Sequence, residues 1–313
     1  MARSLPSSVP VSGAPPRDAA RRSVAVNLFL SLRPGQWTKN LLVFAGVLFG
    51  LRLFDVGAVA RACAAFAIFC ALSGAVYLVN DILDRESDRR HPVKARRPIA
   101  SGALSVRTAA VGAAGVGVAA LGAAALLGPA FAATAAAYLA LQVLYSGPLK
   151  HIVILDVLAL ATGFVLRAVA GAVAVNVEIS HWLLVCTLLL ALFIALAKRR
   201  NELVLLADEA AGHRPILQEY SEHLLDQMIS VVTASTLIAY VFYTISPETQ
   251  EKFGTEWLGL TIPFPLYGIF RYLYLMHRRE GGGSPAEMLI NDRPLLVCVA
   301  LWTVAVALIL YQP

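Results

Sequence analysis

Long apolar blocks separated by short polar runs form the dominant pattern along this 313-residue chain. A helix needs roughly 20 mostly apolar residues to cross the hydrocarbon core of a bilayer, and about nine blocks come near that length. They lie near residues 41–54, 57–79, 108–127, 129–145, 152–174, 180–197, 227–246, 257–276 and 294–311. The pattern therefore predicts an all-α, polytopic membrane protein with about nine transmembrane helices. The first block is the shortest, because the polar run 36–40 separates it from the apolar residues 26–32.

Basic residues collect in every second connection between these blocks. Cytoplasmic loops of membrane proteins carry the excess of lysine and arginine, so we assign these connections and the N-terminus to the cytoplasm. The opposite connections carry almost no positive charge beyond Arg52, Arg61 and Lys252. The sequence thus predicts a multi-pass protein of the inner, cytoplasmic membrane, with its polar sites on the cytoplasmic side.

The composition and charge of the chain limit the kinds of molecule that it is expected to bind. The chain is 58% hydrophobic and 15% charged, with a formal net charge of +6. A basic protein can bind nucleic acid, but the charge asymmetry across the membrane accounts for this surplus, and we expect no nucleic-acid partner. Residues 1–32 are predicted to be a disordered basic cytoplasmic tail with its lead-in, and residues 33–313 a single transmembrane catalytic domain. None of the P-loop, G-x-S-x-G or H-E-x-x-H signatures occurs.

Three carboxylates and an amide close the second block, in the run NDILDRESD. Asp81, Asp84 and Asp88 are three and four residues apart, so a continued helix carries them on one face with Asn80 beside them. Neighbouring carboxylates repel each other, and Mg²⁺ bound through a few carboxylates and substrate phosphate oxygens removes that repulsion. These four residues are therefore predicted to form a catalytic magnesium site. The alternative is a solvated loop of mixed charge.

Side chains that can bind phosphate follow this motif, and others occur two connections later. Lys94 and Arg97 are natural partners for phosphate charge that the metal leaves uncompensated. In the connection after the fourth block, Lys150 can reach a phosphate as a point charge and Tyr145 can donate a hydrogen bond to it. For Lys150 an interface anchor is the alternative.

Two more polar groups lie on the same predicted side. Lys198, Arg199 and Glu202 end the sixth block, and Gln36 and Lys39 precede the first. Both groups could hold an anionic part of a substrate. Ordinary anchoring of the chain at the cytoplasmic interface is the alternative for each.

Asp156 and Arg167 are charged residues within the fifth block. They are eleven residues apart, which is three helical turns, so they share one face. Charged residues at such depth generally face a bundle interior or a wet cavity. We expect the two side chains to line one substrate cavity, with a purely structural pairing as the alternative.

The motif N-D-x-x-D-x-x-x-D at residues 80–88 resembles the UbiA superfamily of intramembrane prenyltransferases. The resemblance covers most of the chain from residue 33 onward and implies helices around a central cavity open to lipid. Within the superfamily the likeness is closest to the branch that transfers 5-phosphoribose from phosphoribosyl pyrophosphate to a polyprenyl phosphate such as decaprenyl phosphate. That branch feeds the synthesis of cell-envelope arabinan. The likeness rests on RPGQWTKN, YLVND, HPVKARRPIA, LKH, LRAVAG and KRRNEL.

The resemblance implies magnesium as cofactor and phosphoribosyl pyrophosphate, a polyprenyl phosphate and the bilayer as partners, while a homo-oligomer stays open. Aromatic prenyltransferases of the superfamily carry a second acidic motif after the sixth span, where this chain has Lys198, Arg199 and Glu202. The change suits two anionic substrates. The alternative functions are an aromatic prenyltransferase with a prenyl pyrophosphate donor and a transporter or lipid-binding protein that uses its charges for ion coupling.

Overall fold

The computed structural model describes residues 22–91, 93–178, 180–206, 215–278 and 291–311. These ranges are built from helices and their connections, and contain no β-strand. The α-helices are α1 (Val24–Ser31), α2 (Ala45–Phe49), α3 (Val56–Leu83), α4 (Arg85–Arg90), α5 (Val106–Leu127), α6 (Pro129–Ser146), α7 (Leu155–Ala174), α8 (His181–Leu206), α9 (Glu222–Ile245), α10 (Pro247–Phe253), α11 (Pro263–Arg278) and α12 (Arg293–Leu310). Short 3₁₀ segments cover Pro34–Phe44, Lys94–Arg96, Leu149–His151, Pro215–Glu219 and Trp257–Thr261.

Seven of the described helices are long and apolar enough to cross a membrane. They are α3, α5, α6, α7, α8, α9 and α12. The predicted all-helical, multi-pass architecture is confirmed, but the count of about nine spans is not. The first predicted span, 41–54, consists of the end of a 3₁₀ segment and the five-residue α2. The eighth, 257–276, divides into a 3₁₀ segment and the sixteen-residue α11.

Capping residues explain where several of these helices begin. A short polar side chain ahead of an apolar run accepts a hydrogen bond from a backbone N–H of the first turn, which has no partner within the helix. Asp55 does this for α3, with its Oδ1 3.0 Å from the nitrogen of Ala58. Ser105 does the same for α5, at 3.0 Å from the nitrogen of Thr108. Residues 24–31 of the predicted lead-in are helical, and residues 1–21 lie outside the described residues.

Helices α3 and α7 occupy the middle of the bundle. The apolar stretch of α3 is 61% buried and that of α7 is 56% buried, whereas α5 and α6 are each only 17% buried. The core that joins these helices is rich in alanine and aromatic side chains, among them Phe69, Phe131 and Tyr138. Polar groups on α3 and α7 are therefore enclosed by other helices.

Two glycines let the segment before α3 approach α7 backbone to backbone. A Cβ on Gly171 would lie 1.9 Å from the carbonyl oxygen of Val43, and one on Gly46 would lie 2.6 Å from the carbonyl carbon of Gly171. No side chain can occupy either place unless the backbone moves. This close approach brings the 3₁₀ segment Pro34–Phe44, with its polar side chains, against the middle of α7.

Candidate active site

The acidic motif lies at the junction between α3 and α4. Helix α3 ends at Leu83, but the nitrogen of Asp84 donates to the oxygen of Asn80 at 2.8 Å and the nitrogen of Asp88 to the oxygen of Asp84 at 2.8 Å. Helical spacing therefore continues through the junction. Asp81 and Asp88 are buried, and the side chain of Asp84 is 45% exposed.

Each carboxylate of this motif pairs with a cation from elsewhere in the chain. Nη1 of Arg97 lies 3.1 Å from Oδ1 of Asp81 and 2.6 Å from Oδ2 of Asp88, so it bridges the two. Arg33 also donates to Oδ1 of Asp81. Lys150 lies 3.4 Å from Oδ1 of Asp84. The structure thus brings three separate basic connections to one acidic helix end.

The chemistry of these donors fits Mg²⁺, although a complete protein cage is not formed. Within the described ranges, no group of three His, Cys, Asp or Glu residues is arranged to hold a metal ion. Magnesium commonly binds through one or two carboxylates and takes its remaining ligands from water and substrate phosphates. Both cations on Asp81 contact Oδ1. Asp81 and Asp84 therefore fit an ion that arrives with a phosphate substrate, and the magnesium site remains a prediction.

The charged residues at the end of α8 form a buried ion-pair network. Arg199 is 1% exposed. Its Nε donates to Oδ2 of Asp156 at 2.8 Å and its Nη1 to Oε2 of Glu202 at 2.7 Å. Its Nη2 lies 3.5 Å from the hydroxyl of Tyr145. Arg199 is thus held between two carboxylates, and direct binding of a substrate by this residue remains a prediction.

Tyr220 completes this network from the connection before α9. Its hydroxyl donates to Oδ1 of Asp156 at 2.8 Å and accepts from the nitrogen of Ile154 at 2.8 Å. Burial is the main cause that raises the pKa of Tyr220 to about 12, so the hydroxyl keeps its proton at neutral pH. The neighbouring Lys198 lies 3.7 Å from Glu202. The K-R-x-x-E motif therefore fixes α7 and α8 to each other near their predicted cytoplasmic ends.

Arg167 has a different set of partners and does not pair with Asp156. Its Nε donates to Oδ1 of Asn40 at 2.8 Å, its Nη1 to the oxygen of Gly163 at 2.9 Å, and its Nη2 to the hydroxyl of Tyr138 at 2.7 Å. All three acceptors are neutral. The amide of Asn40 is held in turn by Ser73, at 3.2 Å. Asp156 and Arg167 share a helix face, as predicted, but contact separate neighbours at different depths.

Lys39 lies close to Arg167 and Arg33, and the side chain makes no hydrogen bond or ion pair with the described residues. Burial, followed by the charges of Arg167 and Arg33, lowers the pKa of Lys39 to about 8. Gln36 is exposed, and its side chain likewise has no hydrogen-bond partner in the described part of the chain. Asn80 and Lys94 are half-buried beside the acidic motif.

Sequence reasoning assigned no role to Tyr138 or Tyr220. Tyr138 lies seven residues before Tyr145, two turns along the same face of α6, and this spacing is a signal that could have identified it. No local spacing identifies Tyr220 in the same way, because its partner Asp156 is 64 positions away.

Comparison with known proteins gives one consistent family. The sequence profile described as the UbiA prenyltransferase family matches residues 41–292. The decaprenyl-phosphate phosphoribosyltransferase of Corynebacterium glutamicum is 32% identical over 296 residues, which covers 93% of this chain and 88% of that protein. The Mycolicibacterium smegmatis protein of the same name is 32% identical over 311 residues, which covers 95% of this chain and 96% of that protein.

Solved structures share the fold. A UbiA homolog from Archaeoglobus fulgidus bound to GPP and Mg²⁺ matches with a TM-score of 0.69 at 19% identity, covering 93% of this chain and 100% of that one. The same homolog bound to Cd²⁺ matches with a TM-score of 0.67. At this level of identity the likeness concerns the fold alone.

Proposed function

The chain belongs to the UbiA prenyltransferase family, and from that premise we propose that it transfers 5-phosphoribose from phosphoribosyl pyrophosphate to a polyprenyl phosphate such as decaprenyl phosphate. Pyrophosphate is the second product, and the lipid product would serve synthesis of arabinan in the cell envelope. The names of the two actinobacterial relatives support this choice of substrates.

One structural observation carries the proposal over an aromatic prenyltransferase. Aromatic prenyltransferases of the superfamily are expected to have a second acidic motif at the end of the sixth span. Here Glu202 at the end of α8 is bound to Arg199 at 2.7 Å. Asp156, the other carboxylate of this network, is fully buried against Arg199 and Tyr220. Neither carboxylate is placed to hold a second metal, so the site offers one acidic centre surrounded by cations.

The donor would bind at the α3–α4 junction. Asp81 and Asp84 would hold Mg²⁺, with Asn80 and Asp88 orienting or completing the site. When bound, the ion supplies positive charge that stabilises the departing pyrophosphate. Arg97 and Lys150, which contact these carboxylates, would bind the phosphate groups of the donor. Lys94 and Tyr145 belong to the same two connections and would assist them.

The reaction makes few demands on acid–base groups. The bond between C1 of the ribose and the pyrophosphate oxygen breaks, and pyrophosphate leaves with the electron pair. An oxygen of the acceptor phosphate forms the new bond to C1. This oxygen is already anionic, so no side chain has to remove a proton from it. Stabilising charge on the leaving group is the main catalytic task, and it suits a site made of cations and a metal.

The side of the membrane on which the active site lies is part of the same proposal. The α3–α4 junction, the Leu149–His151 segment and the end of α8 lie at one end of the bundle, where Lys150 pairs with Asp84 and Arg199 contacts Tyr145 at the end of α6. We assign this end to the cytoplasmic side of the inner membrane because lysine and arginine concentrate there.

A transfer assay tests the proposal. Purified protein is incubated with ribose-labelled phosphoribosyl pyrophosphate, Mg²⁺ and polyprenyl phosphates of different lengths. We expect label in the lipid fraction, and none when EDTA removes the metal. Undiminished transfer in EDTA would contradict the magnesium role, and no transfer to any polyprenyl phosphate would contradict the function.

A further inference from the structure

Arg167 is buried and Lys39 is half-buried, and neither cation has a counter-ion among the described residues. The hydrogen bonds of Arg167 all end on neutral acceptors. Lys39 has no hydrogen-bond or ion-pair partner within the described ranges. An enclosed charge without an opposite charge is costly, and in membrane proteins such residues generally face a binding site or an ion path.

Four other basic residues predicted to bind substrate differ in this respect. Each of the four has a carboxylate oxygen within 4.0 Å: Arg97, Lys150, Lys198 and Arg199. An incoming anion would compensate the charges of Lys39 and Arg167 without breaking an ion pair between described residues.

Arg167 is also held so that part of its guanidinium group remains available. A guanidinium carries five N–H donors, and three hydrogen bonds to described residues are formed. Asn40 fixes Nε, and Tyr138 fixes Nη2 while its ring lies 4.8 Å from the guanidinium carbon. An arginine that is fixed in this way loses little entropy when it binds a phosphate through its remaining N–H groups.

The two residues are brought together by the backbone packing at Gly46 and Gly171. That contact places the segment Pro34–Phe44 against α7, where Arg167 donates to Asn40, the residue next to Lys39. Arg167 lies eleven residues beyond Asp156 on α7, roughly 16 Å deeper along the helix axis at about 1.5 Å per residue. The pair therefore lies on the membrane side of the acidic junction.

We propose that Lys39 and Arg167 form the subsite that receives the phosphate of the polyprenyl acceptor. The inference rests on the proposed function and assigns to this pair the role expected from the sequence for Lys198 and Arg199. A sugar donor carries hydroxyl and phosphate groups along its whole length and needs polar partners throughout. A lipid phosphate needs cations only at its head, and the aromatic rings of Tyr138 and Phe164 around Arg167 suit the start of an apolar chain.

Lys39→Gln tests the subsite directly, because Lys39 has no hydrogen bond whose loss would disturb the fold. Losing one charged hydrogen bond to phosphate should raise KM for the polyprenyl phosphate about tenfold or more, while KM for phosphoribosyl pyrophosphate stays within about twofold. Arg167→Gln should act in the same direction. The matched controls are Lys252→Gln, at the opposite end of the bundle, and Arg107→Gln, exposed at the start of α5. Both controls should leave the two KM values unchanged.

Binding of farnesyl phosphate and of farnesol to detergent-solubilised protein gives a second readout that needs no turnover. The wild type should bind the phosphate more tightly than the alcohol, and Lys39→Gln should remove most of that preference. This result would support the subsite even if phosphoribosyl transfer were not observed, in which case the proposed function alone would fail. If the wild type transfers phosphoribose but Lys39→Gln alters neither the preference nor the acceptor KM, the subsite is wrong and the function stands. A rise in the donor KM alone would also overturn the assignment.

Discussion

Arg33 donates a hydrogen bond to the buried carboxylate of Asp81, 48 positions later in the sequence. Arg33 has a left-handed backbone, with φ of 54°, which costs a non-glycine residue about 1–2 kcal/mol. The contact places a cation on a carboxylate that is predicted to hold magnesium.

Asp81→Asn and Asp84→Asn should each abolish turnover, because an amide is a weaker magnesium ligand than a carboxylate. Steady-state transfer measures this, and size-exclusion chromatography shows whether the variants remain folded. Glu86→Gln is the matched control, since Glu86 lies in the same run with 71% of its side chain exposed and, among the described residues, pairs with Arg85 and Arg89. Near-normal rates for both aspartate variants would remove the metal assignment.

Arg97→Lys should raise KM for phosphoribosyl pyrophosphate although the charge is kept. Nη1 of Arg97 contacts Asp81 and Asp88 together, and a lysine offers one compact ammonium group in place of a planar fork of donors. Arg96→Lys, at the exposed neighbouring position, should leave that KM unchanged. Equal donor KM values for the two variants would show that Arg97 does not bind the donor.

Acceptor use should depend on the charge of Lys39. Its pKa lies at about 8 in the absence of substrate, so raising the pH through that value removes a positive charge. We expect kcat/KM for the polyprenyl phosphate to fall between about pH 7 and about pH 9. In Lys39→Arg this fall should be absent, and the same profile in both proteins would contradict the assignment.

Gly171→Ala should destabilise the fold. The added Cβ would lie 1.9 Å from the carbonyl oxygen of Val43, which belongs to the backbone and has little freedom to move. Overpacking of this kind costs about 1–3 kcal/mol or more, and the Tm in detergent should fall accordingly. In the control Gly122→Ala, nothing lies within 4 Å of the new Cβ, so Tm should be unchanged or slightly higher. Equal Tm values for both variants would contradict the close packing.

The sequence predicted those features of the site that depend on neighbouring residues along the chain. The spacing of Asp81, Asp84 and Asp88 survives the α3–α4 junction because their backbone hydrogen bonds keep helical order. Alternating charge in the connections also predicted that Lys150 and Asp84 lie on the same side of the bundle, and the two residues are in contact. Neither result needed knowledge of distant partners.

Contacts between residues that are far apart in the chain could not be predicted from the sequence. Nothing in residues 198–203 indicates that Arg199 pairs with Asp156, 43 positions earlier. The first predicted span is not one continuous α-helix, and nothing in the sequence indicated that Gly46 packs against Gly171 of α7, much later in the chain. The spacing of residues along one helix indicates which of them share a face. It does not indicate which other helix or segment packs against that face.

The most direct test of the central claim compares four reactions with purified protein and Mg²⁺. Labelled phosphoribosyl pyrophosphate is offered a polyprenyl phosphate or the matching polyprenol, and labelled prenyl pyrophosphate is offered 4-hydroxybenzoate or buffer alone. The account predicts a labelled lipid only from the sugar donor with the polyprenyl phosphate, because buried cations facing a neutral hydroxyl would be left unpaired. Transfer of the prenyl group to 4-hydroxybenzoate, without any phosphorylated sugar, would contradict it.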